Sequence, residues 1–398
     1  MKKVLCICYF FPPLGMSQRS LKFCKYLHLF GWEPIVLAPE SSTYHRQDPT
    51  LLTEVPRSCR VIRVPESEEV PNAMIRTEDF QKGWYPEAVK VALKLLQKEK
   101  VDMIYTTASP YLSHMIGLKI KELTGIPWVA DFRDEWTTNP YIVNKYPPKQ
   151  MKLNQQFEQQ VLTRADKVIT VSDEISNILY RQSSLKSNEK FFTIMNGFDP
   201  ADFPLHPKNV KNDRFTMCYM GSLYGLRRRL ANQFFQIIDH SLQQGKLNKD
   251  ELKVLFVGDP LPQPGEWMKG ITENSGYLDH QSALKKALSS DLLLLFISPQ
   301  EGNQTVTSKI FELINTKKPI LAIVPEAGVA AEIIRKTRTG VVVDSRFPEK
   351  AIPHILRYYH QWKTNQVVNH SYNHEIQRFS RIEQTKMLAQ IMHSIVTK

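Results

Sequence analysis

The stretch TSKIFELINTKKPILAIVPE, residues 307–326, switches character partway along. Its first half reads as a helix, a short loop carrying Pro319 follows, and the apolar run after that loop reads as a strand. Repeated along a chain, this helix–strand unit gives parallel sheets covered by helices. The same stretch places Lys309 and Glu312 three residues apart on one face of a helix that otherwise looks buried. That pair needs a reason.

Working outward, short apolar runs alternate with helical patterns along the whole chain. In the first half the strand candidates are KVLCICYF, WEPIVLAP, CRVIRVP, VDMIYTT, PWVADF, KVITVS and FFTIMN, with helical stretches such as SQRSLKFCKYLHLFG and YPEAVKVALKLLQKE between them. FDPADFPLHPKNVKNDR has no periodicity and reads as a linker. The alternation then restarts with FTMCYMG, a helix over residues 230–244, LKVLFVG, a strand near SGYL, HQSALKKALSS, DLLLLFIS, and the opening unit, ending in TGVVVD. The expected organisation is a Rossmann-like domain over 1–198, a linker over 199–213, a second Rossmann-like domain over 214–374 and a terminal helix over 375–398. Two such domains in tandem leave a cleft, and open α/β sheets bind ligands beyond the carboxyl ends of their strands.

Composition fits this picture. The 398 residues exceed one ordinary core, and 42% apolar with 23% charged residues is usual for a globular protein. The formal charge of +12 favours anionic partners: nucleic acid, an acidic membrane surface or phosphorylated small molecules. Five scattered cysteines, Cys6, Cys8, Cys24, Cys59 and Cys218, form no disulfide framework, and Cys6 and Cys8 read as small core residues. A reducing, cytoplasmic setting is expected. MKKVLCICYFFPP imitates a leader, but its apolar run is short, stops at Pro12-Pro13 and reads as a buried first strand. The longest apolar run, residues 292–297, is strand-sized, so a soluble or at most peripheral protein is expected.

Four clusters after strands could carry chemistry. In YFFPPLGMSQRS, Gly15 permits a tight turn and Ser17 can cap the helix beginning near Gln18, leaving N–H groups for an anion or sugar hydroxyl. A single glycine does not make a dinucleotide fingerprint. PWVADFRDEW opens from a buried strand into Arg133, Asp134, Glu135 and Trp136. Either Trp136 stacks on a sugar while Asp131 and Asp134 accept hydroxyl hydrogen bonds, or an Arg133–Asp134 or Arg133–Asp131 salt bridge only shapes the surface. In YMGSLYGLRRRL a strand ends at Gly221 with Ser222 after it, and Arg227 and Arg228 at a helix start suit a pyrophosphate. Last, Thr305, Val306, Thr307 and Ser308 precede the opening helix, where Lys309 opposes the helix dipole unless an anion offsets it. Glu312 one turn on could accept two hydrogen bonds from a ribose diol while Lys309 holds phosphate. The plain alternative is an intrahelical ion pair worth only about 0.2–0.5 kcal/mol.

With YFFPPLG, PWVADFRDEW, VITVSDEI, NGFDPADF, MGSLYG, VGD, SKIFEL with KKPIL, and TGVVVD in this order, the whole chain resembles a GT-B-fold glycosyltransferase of the retaining family 4 type. The resemblance implies two Rossmann-like domains facing across a cleft, with the C-terminal helix crossing back to the N-terminal domain. It implies a nucleotide-sugar donor (UDP-sugar first) held by the second domain, and a polysaccharide, lipid-linked or other glycan acceptor on the first. Glu312 then corresponds to the ribose-binding glutamate, with Arg228 and Lys309 beside it in the catalytic set. Arg227 and Arg228 fall where cations neutralise the diphosphate, and Gly276, Tyr277 and Leu278 where the base is read. Gly15, Met16 and Ser17 fall in the loop near diphosphate and acceptor. No cofactor or metal ion is implied, because cations and helix dipoles stabilise the departing diphosphate.

The chain departs from the family pattern at three points. Gln304 stands eight residues before Glu312 where the first glutamate of a pair is usual, Met16 replaces a second glycine, and His114 reads as a packing residue rather than a catalytic one. The first two departures keep a silent partner subunit in play, beside a sugar-nucleotide epimerase or hydrolase on the same fold. Nucleic-acid binding rests on charge alone, with no basic–aromatic module to support it. LKFCKYLHLFGW could lie on an anionic membrane at the inner face of the plasma membrane, or pack on the first sheet with its lysines in solvent. Acceptor specificity is expected in the irregular residues 40–85 and 137–150.

Overall fold

The computed structural model describes residues 1–40, 47–65, 84–139, 143, 146–204, 211–223, 225–258, 268–366 and 373–396. Parts of the expected acceptor loops (41–46, 66–83, 140–142 and 144–145) and of the linker (205–210) lie outside the described residues. Contacts divide the chain into two units, Met1–Asn196 with Arg381–Lys398, and Gly197–Ser380.

The first unit is built on seven strands: β1 (Lys2–Cys8), β2 (Trp32–Pro39), β3 (Arg60–Val64), β4 (Met103–Ala108), β5 (Trp128–Phe132), β6 (Lys167–Thr170) and β7 (Phe191–Thr193). They pair in parallel in the order β3-β2-β1-β4-β5-β6-β7. The MKKVLCIC segment is therefore a central strand. Side chains alternate across it, so Leu5 and Ile7 enter one core while Val4, Cys6 and Cys8 enter the other. Both faces are covered, which is why the strand reads as an unbroken apolar run. On the first face lie α2 (Tyr85–Lys98), α3 (Leu112–Thr124) and α4 (Pro148–Arg164), while α5 (Asp173–Gln182) packs on β6 and β7.

The opposite face carries α1 (Gln18–Tyr26). This short helix is buried along almost its whole length. Lys22 does not point to solvent as expected; its side chain is 1% exposed and ion-paired with Glu54 at 2.5 Å, while Lys25 reaches the same carboxylate at 2.9 Å. The α1 part of LKFCKYLHLFGW is thus packed within the first unit.

The second unit has six parallel strands: β8 (Phe215–Met220), β9 (Leu252–Val257), β10 (Thr272–Asn274), β11 (Leu292–Phe296), β12 (Ile320–Val324) and β13 (Gly340–Asp344). Their order is β10-β9-β8-β11-β12-β13. The strand expected at SGYL is displaced to Thr272–Asn274, so residues 275–278 form the loop after it. Helix α6 (Gly225–Gln243) begins earlier than residue 230, and α7 is His280–Leu288. The opening stretch becomes the seven-residue α8 (Lys309–Asn315) followed by β12, with Ile310, Phe311, Leu313 and Ile314 buried. Helices α9 (Val329–Thr337) and α10 (Ile352–Lys363) complete the layers. The expected terminal helix divides into α11 (His374–Gln377) and α12 (Arg381–Val396), and α12 packs on α1 of the first unit. Among the described residues no helix is long and apolar enough to cross a membrane.

Candidate active site

Each sheet reverses its winding at one point. In the second unit this point lies between β8 and β11, and in the first between β1 and β4. Loops leaving a sheet in opposite directions open a crevice there, at the carboxyl edge.

In the second unit three strand-end loops are laced together. Gly221 N–H donates to Val257 O at 2.8 Å, and Gly258 N–H donates to Gly276 O at 2.9 Å. A Cβ on Gly258 would stand 2.1 Å from Gly221 O, and its φ is +147°, so only glycine allows this approach. Ser222 is half-buried, while Tyr277 projects beyond the lacing with its ring exposed.

Across the reversal point, Arg227 in the first turn of α6 pairs with Glu301 at 2.5 Å. Glu301 ends the 3₁₀ turn Pro299–Glu301 behind β11 and also accepts from Ser298 N–H at 2.8 Å. The guanidinium expected on a diphosphate thus ties the two loops together, whereas Arg228 is exposed at the same helix start. Beyond Glu301, Thr305 Oγ1 donates to Glu301 O at 2.5 Å, and Val329 N–H donates to Asn303 O at 2.8 Å. Val306 is half-buried and Gln304 exposed. Thr307 Oγ1 is buried and makes no hydrogen bond among the described residues. Ser308 enters α8 in helical geometry without a side-chain cap.

Glu312 sits one turn into α8 with its side chain 12% exposed. Lys309 Nζ lies 3.2 Å from Glu312 Oε2, so the intrahelical pair does form. On the other side His280 Nδ1 lies 3.8 Å from Glu312 Oε1. His280 opens α7 behind the N-cap Asp279, and its Nε2 lies 3.2 Å from Asp202 Oδ2. Gln281 donates to the other Asp202 oxygen at 3.2 Å. Burial alone would lower the His280 pKa, but the Asp202 hydrogen bond and the charges of Glu312 and Asp202 outweigh it and raise the value above ordinary. Sequence reading missed His280. The available signal was an aspartate N-cap directly behind the loop assigned to the base.

In the first unit Gly15, Met16 and Ser17 lie behind β1, at the reversal point. Met16 is exposed and holds the left-handed φ of +61°, the conformation that a glycine would take without strain. Its carbonyl accepts from Arg133 at 3.0 Å. Ser17 does not cap α1: at φ −86° and ψ −2° it is already helical, and its buried hydroxyl has no partner among the described residues.

The PWVADFRDEW expectation is corrected in two places. Asp131 pairs with neither alternative but with Arg19, 112 residues upstream, through bonds of 2.7 and 2.8 Å. Tyr105 donates to the same carboxylate at 2.6 Å and Thr107 at 3.3 Å. The carboxylate is 0% exposed and closed to any acceptor. Burial would raise its pKa; Arg19 and the Tyr105 hydrogen bond hold it below the ordinary value. Trp136 is buried and stacks on Tyr111 at 4.6 Å, so it fills the core rather than facing a sugar. Asp134 alone of the acidic pair is exposed. His114 is buried with Nδ1 2.7 Å from Thr106 Oγ1 and its ring against Phe132, and burial lowers its pKa to about 3. It packs, as expected.

Two parallel α/β units, each with polar clusters at the carboxyl edge of its sheet, define the GT-B fold of glycosyltransferases. The family model described as Glycosyl transferase 4-like domain matches residues 15–190, within the first unit. Solved proteins with similar folds include the following three. A sucrose-phosphate synthase from Thermosynechococcus elongatus aligns at 15% identity and a TM-score of 0.65 over 100% of both chains. A glycosyltransferase from Rickettsia africae gives 16% and 0.64 over 99% of this chain and 98% of its own. A UDP-forming α,α-trehalose-phosphate synthase from Burkholderia xenovorans gives 10% and 0.61 over 100% of both. No curated protein matches in sequence.

Proposed function

We propose that this enzyme transfers a sugar, with retention of anomeric configuration, from a nucleoside-diphosphate sugar to a glycan or lipid-linked acceptor. The observation that carries this reading is Glu312, a partly accessible carboxylate at the carboxyl edge of the second sheet with a cation beside it. Such a carboxylate suits a ribose diol, and Lys309 with the exposed Arg228 suits the diphosphate. In this reading those two cations, not a metal ion, stabilise the leaving group as charge develops on it. In this reading Gly276 and Tyr277, in the loop after β10, recognise the base. UDP is the first nucleotide to test, and the UDP-forming description of one structural neighbour supports that choice.

The test is thermal unfolding with UDP, GDP, ADP and CMP, on the native protein and on Glu312→Ala. A ligand that binds the folded state must raise the melting temperature. The expected result is a rise with one diphosphate that disappears in the variant. No rise with any nucleotide would turn the reading toward a silent partner subunit.

A further inference from the structure

We propose that His280 is a positioning residue for Glu312 and that its protonation makes donor binding depend on pH near neutrality. This inference rests on the proposed role of Glu312. The geometry that carries it is a ring held between two carboxylates, with Nε2 3.2 Å from Asp202 Oδ2 and Nδ1 3.8 Å from Glu312 Oε1. A neutral imidazole has one N–H and one lone pair. With its N–H on Asp202, a neutral ring would turn a lone pair toward the Glu312 carboxylate. The imidazolium has an N–H for each. Two ionised carboxylates on opposite edges of one ring therefore call for the charged form.

Among the described residues, the charged groups that act most strongly on this ring are Asp202, from the 3₁₀ turn Pro200–Asp202, and Glu312 and Lys309 from α8. Two anions outweigh one cation, and the side chain is only 9% exposed, so solvent screens the balance weakly. The direction of the His280 pKa, upward despite burial, agrees.

In the charged state His280 attracts one oxygen of Glu312 across 3.8 Å while Lys309 bonds the other at 3.2 Å, which biases the carboxylate toward a diol. The same charge lowers the repulsion between Glu312 and an incoming diphosphate. When the proton leaves, Glu312 keeps Lys309 alone, and both advantages are lost. Affinity for the nucleotide should fall as pH rises through the titration of His280.

The test measures the affinity of UDP, with GDP and ADP in parallel, by calorimetry from about pH 6 to about pH 9. Three proteins are compared: native, His280→Gln and Asp202→Asn. A glutamine amide can still donate to Asp202 but carries no charge. In the native protein affinity is expected to fall by about tenfold across the range, beyond any fall in His280→Gln. Titration of the nucleotide's own phosphate is common to all three proteins and cancels in the comparison. Asp202→Asn should keep the fall but move its midpoint to lower pH, because one of the two anions stabilising the imidazolium is gone. A purely structural histidine would not produce that displacement. Parallel profiles in native and His280→Gln protein, with nucleotide bound and lost in Glu312→Ala, would overturn this inference and leave the donor site standing. Absence of nucleotide binding to the native protein at every pH would overturn both.

Discussion

Each unit places a carboxylate and a histidine near the carboxyl edge of its sheet, and the two units use them in opposite ways. In the first, Asp131 is closed from solvent and saturated by Arg19, Tyr105 and Thr107, while His114 is buried against Phe132 with its pKa driven down to about 3. In the second, Glu312 keeps access to solvent, and His280 is held between anions that raise its pKa. A buried charge whose lone pairs are all taken belongs to the scaffold. A carboxylate flanked by cations but still reachable has capacity left for a ligand. Residue type and position after a strand do not separate these cases. Saturation does.

The largest effect that would break the comparison is expected at Arg19. Arg19→Met leaves the Asp131 carboxylate buried and unpaired, and removing one partner of such a pair costs about 3–5 kcal/mol. Urea denaturation should show that loss while the rise in melting temperature with UDP persists, the reverse of Glu312→Ala. A cost below about 1 kcal/mol would mean that the Asp131 network is not scaffold.

The next effect is on pH dependence, where the two histidines have opposite signs. The folded-state pKa of His114 lies below its ordinary 6.5, so its contribution is present above pH 6.5 and is lost as pH falls toward about 3. The slope in that window is expected at about 1 kcal/mol per pH unit, and it should flatten in His114→Gln. His280, raised instead, contributes fully below its unfolded value and loses that contribution as pH rises through the folded one. Equal acid slopes in native and His114→Gln protein would remove the contrast.

The smallest effect on stability is expected at Lys309. Lys309→Ala should change the unfolding free energy by only about 0.2–0.5 kcal/mol, since an i,i+3 pair within one helix contributes little. It should nevertheless weaken UDP binding by roughly tenfold, the weight of one charge-assisted hydrogen bond. A stability loss without a binding loss would return Lys309 and Glu312 to an ordinary helix pair.

Much of the fold was legible because strand and helix periods are local properties. KVLCICYF, VDMIYTT and DLLLLFIS each became a strand with both faces buried, or nearly so. The positions of Gly221, Arg227 and Glu312 after β8 and β11 were legible for the same reason, but the pairing of Arg227 with Glu301 was not. Partners far apart in sequence were not. Arg19 and Asp131 are 112 residues apart, and His280 and Asp202 are 78 apart. No periodicity encodes such pairings; they arise when the sheet order brings α1 over β5, or a loop beside α7. The reading of Trp136 failed because a strand-end aromatic looks the same whether it faces a sugar or Tyr111.

The return of α12 to the first unit has a consequence for the order in which the protein is made. Leu388, Ala389, Ile391 and Met392 complete the core that contains Leu21, Phe23 and Cys24 of α1, and His393 bonds to Phe30 O at 3.1 Å. These contacts join residues at opposite ends of the chain, with the whole of Gly197–Ser380 synthesised between them. A ribosome therefore delivers every residue of the second unit before the first can close its outer layer. The unit translated first is the one finished last, and until its closing helix emerges the apolar flank of α1 is a surface for chaperones to guard.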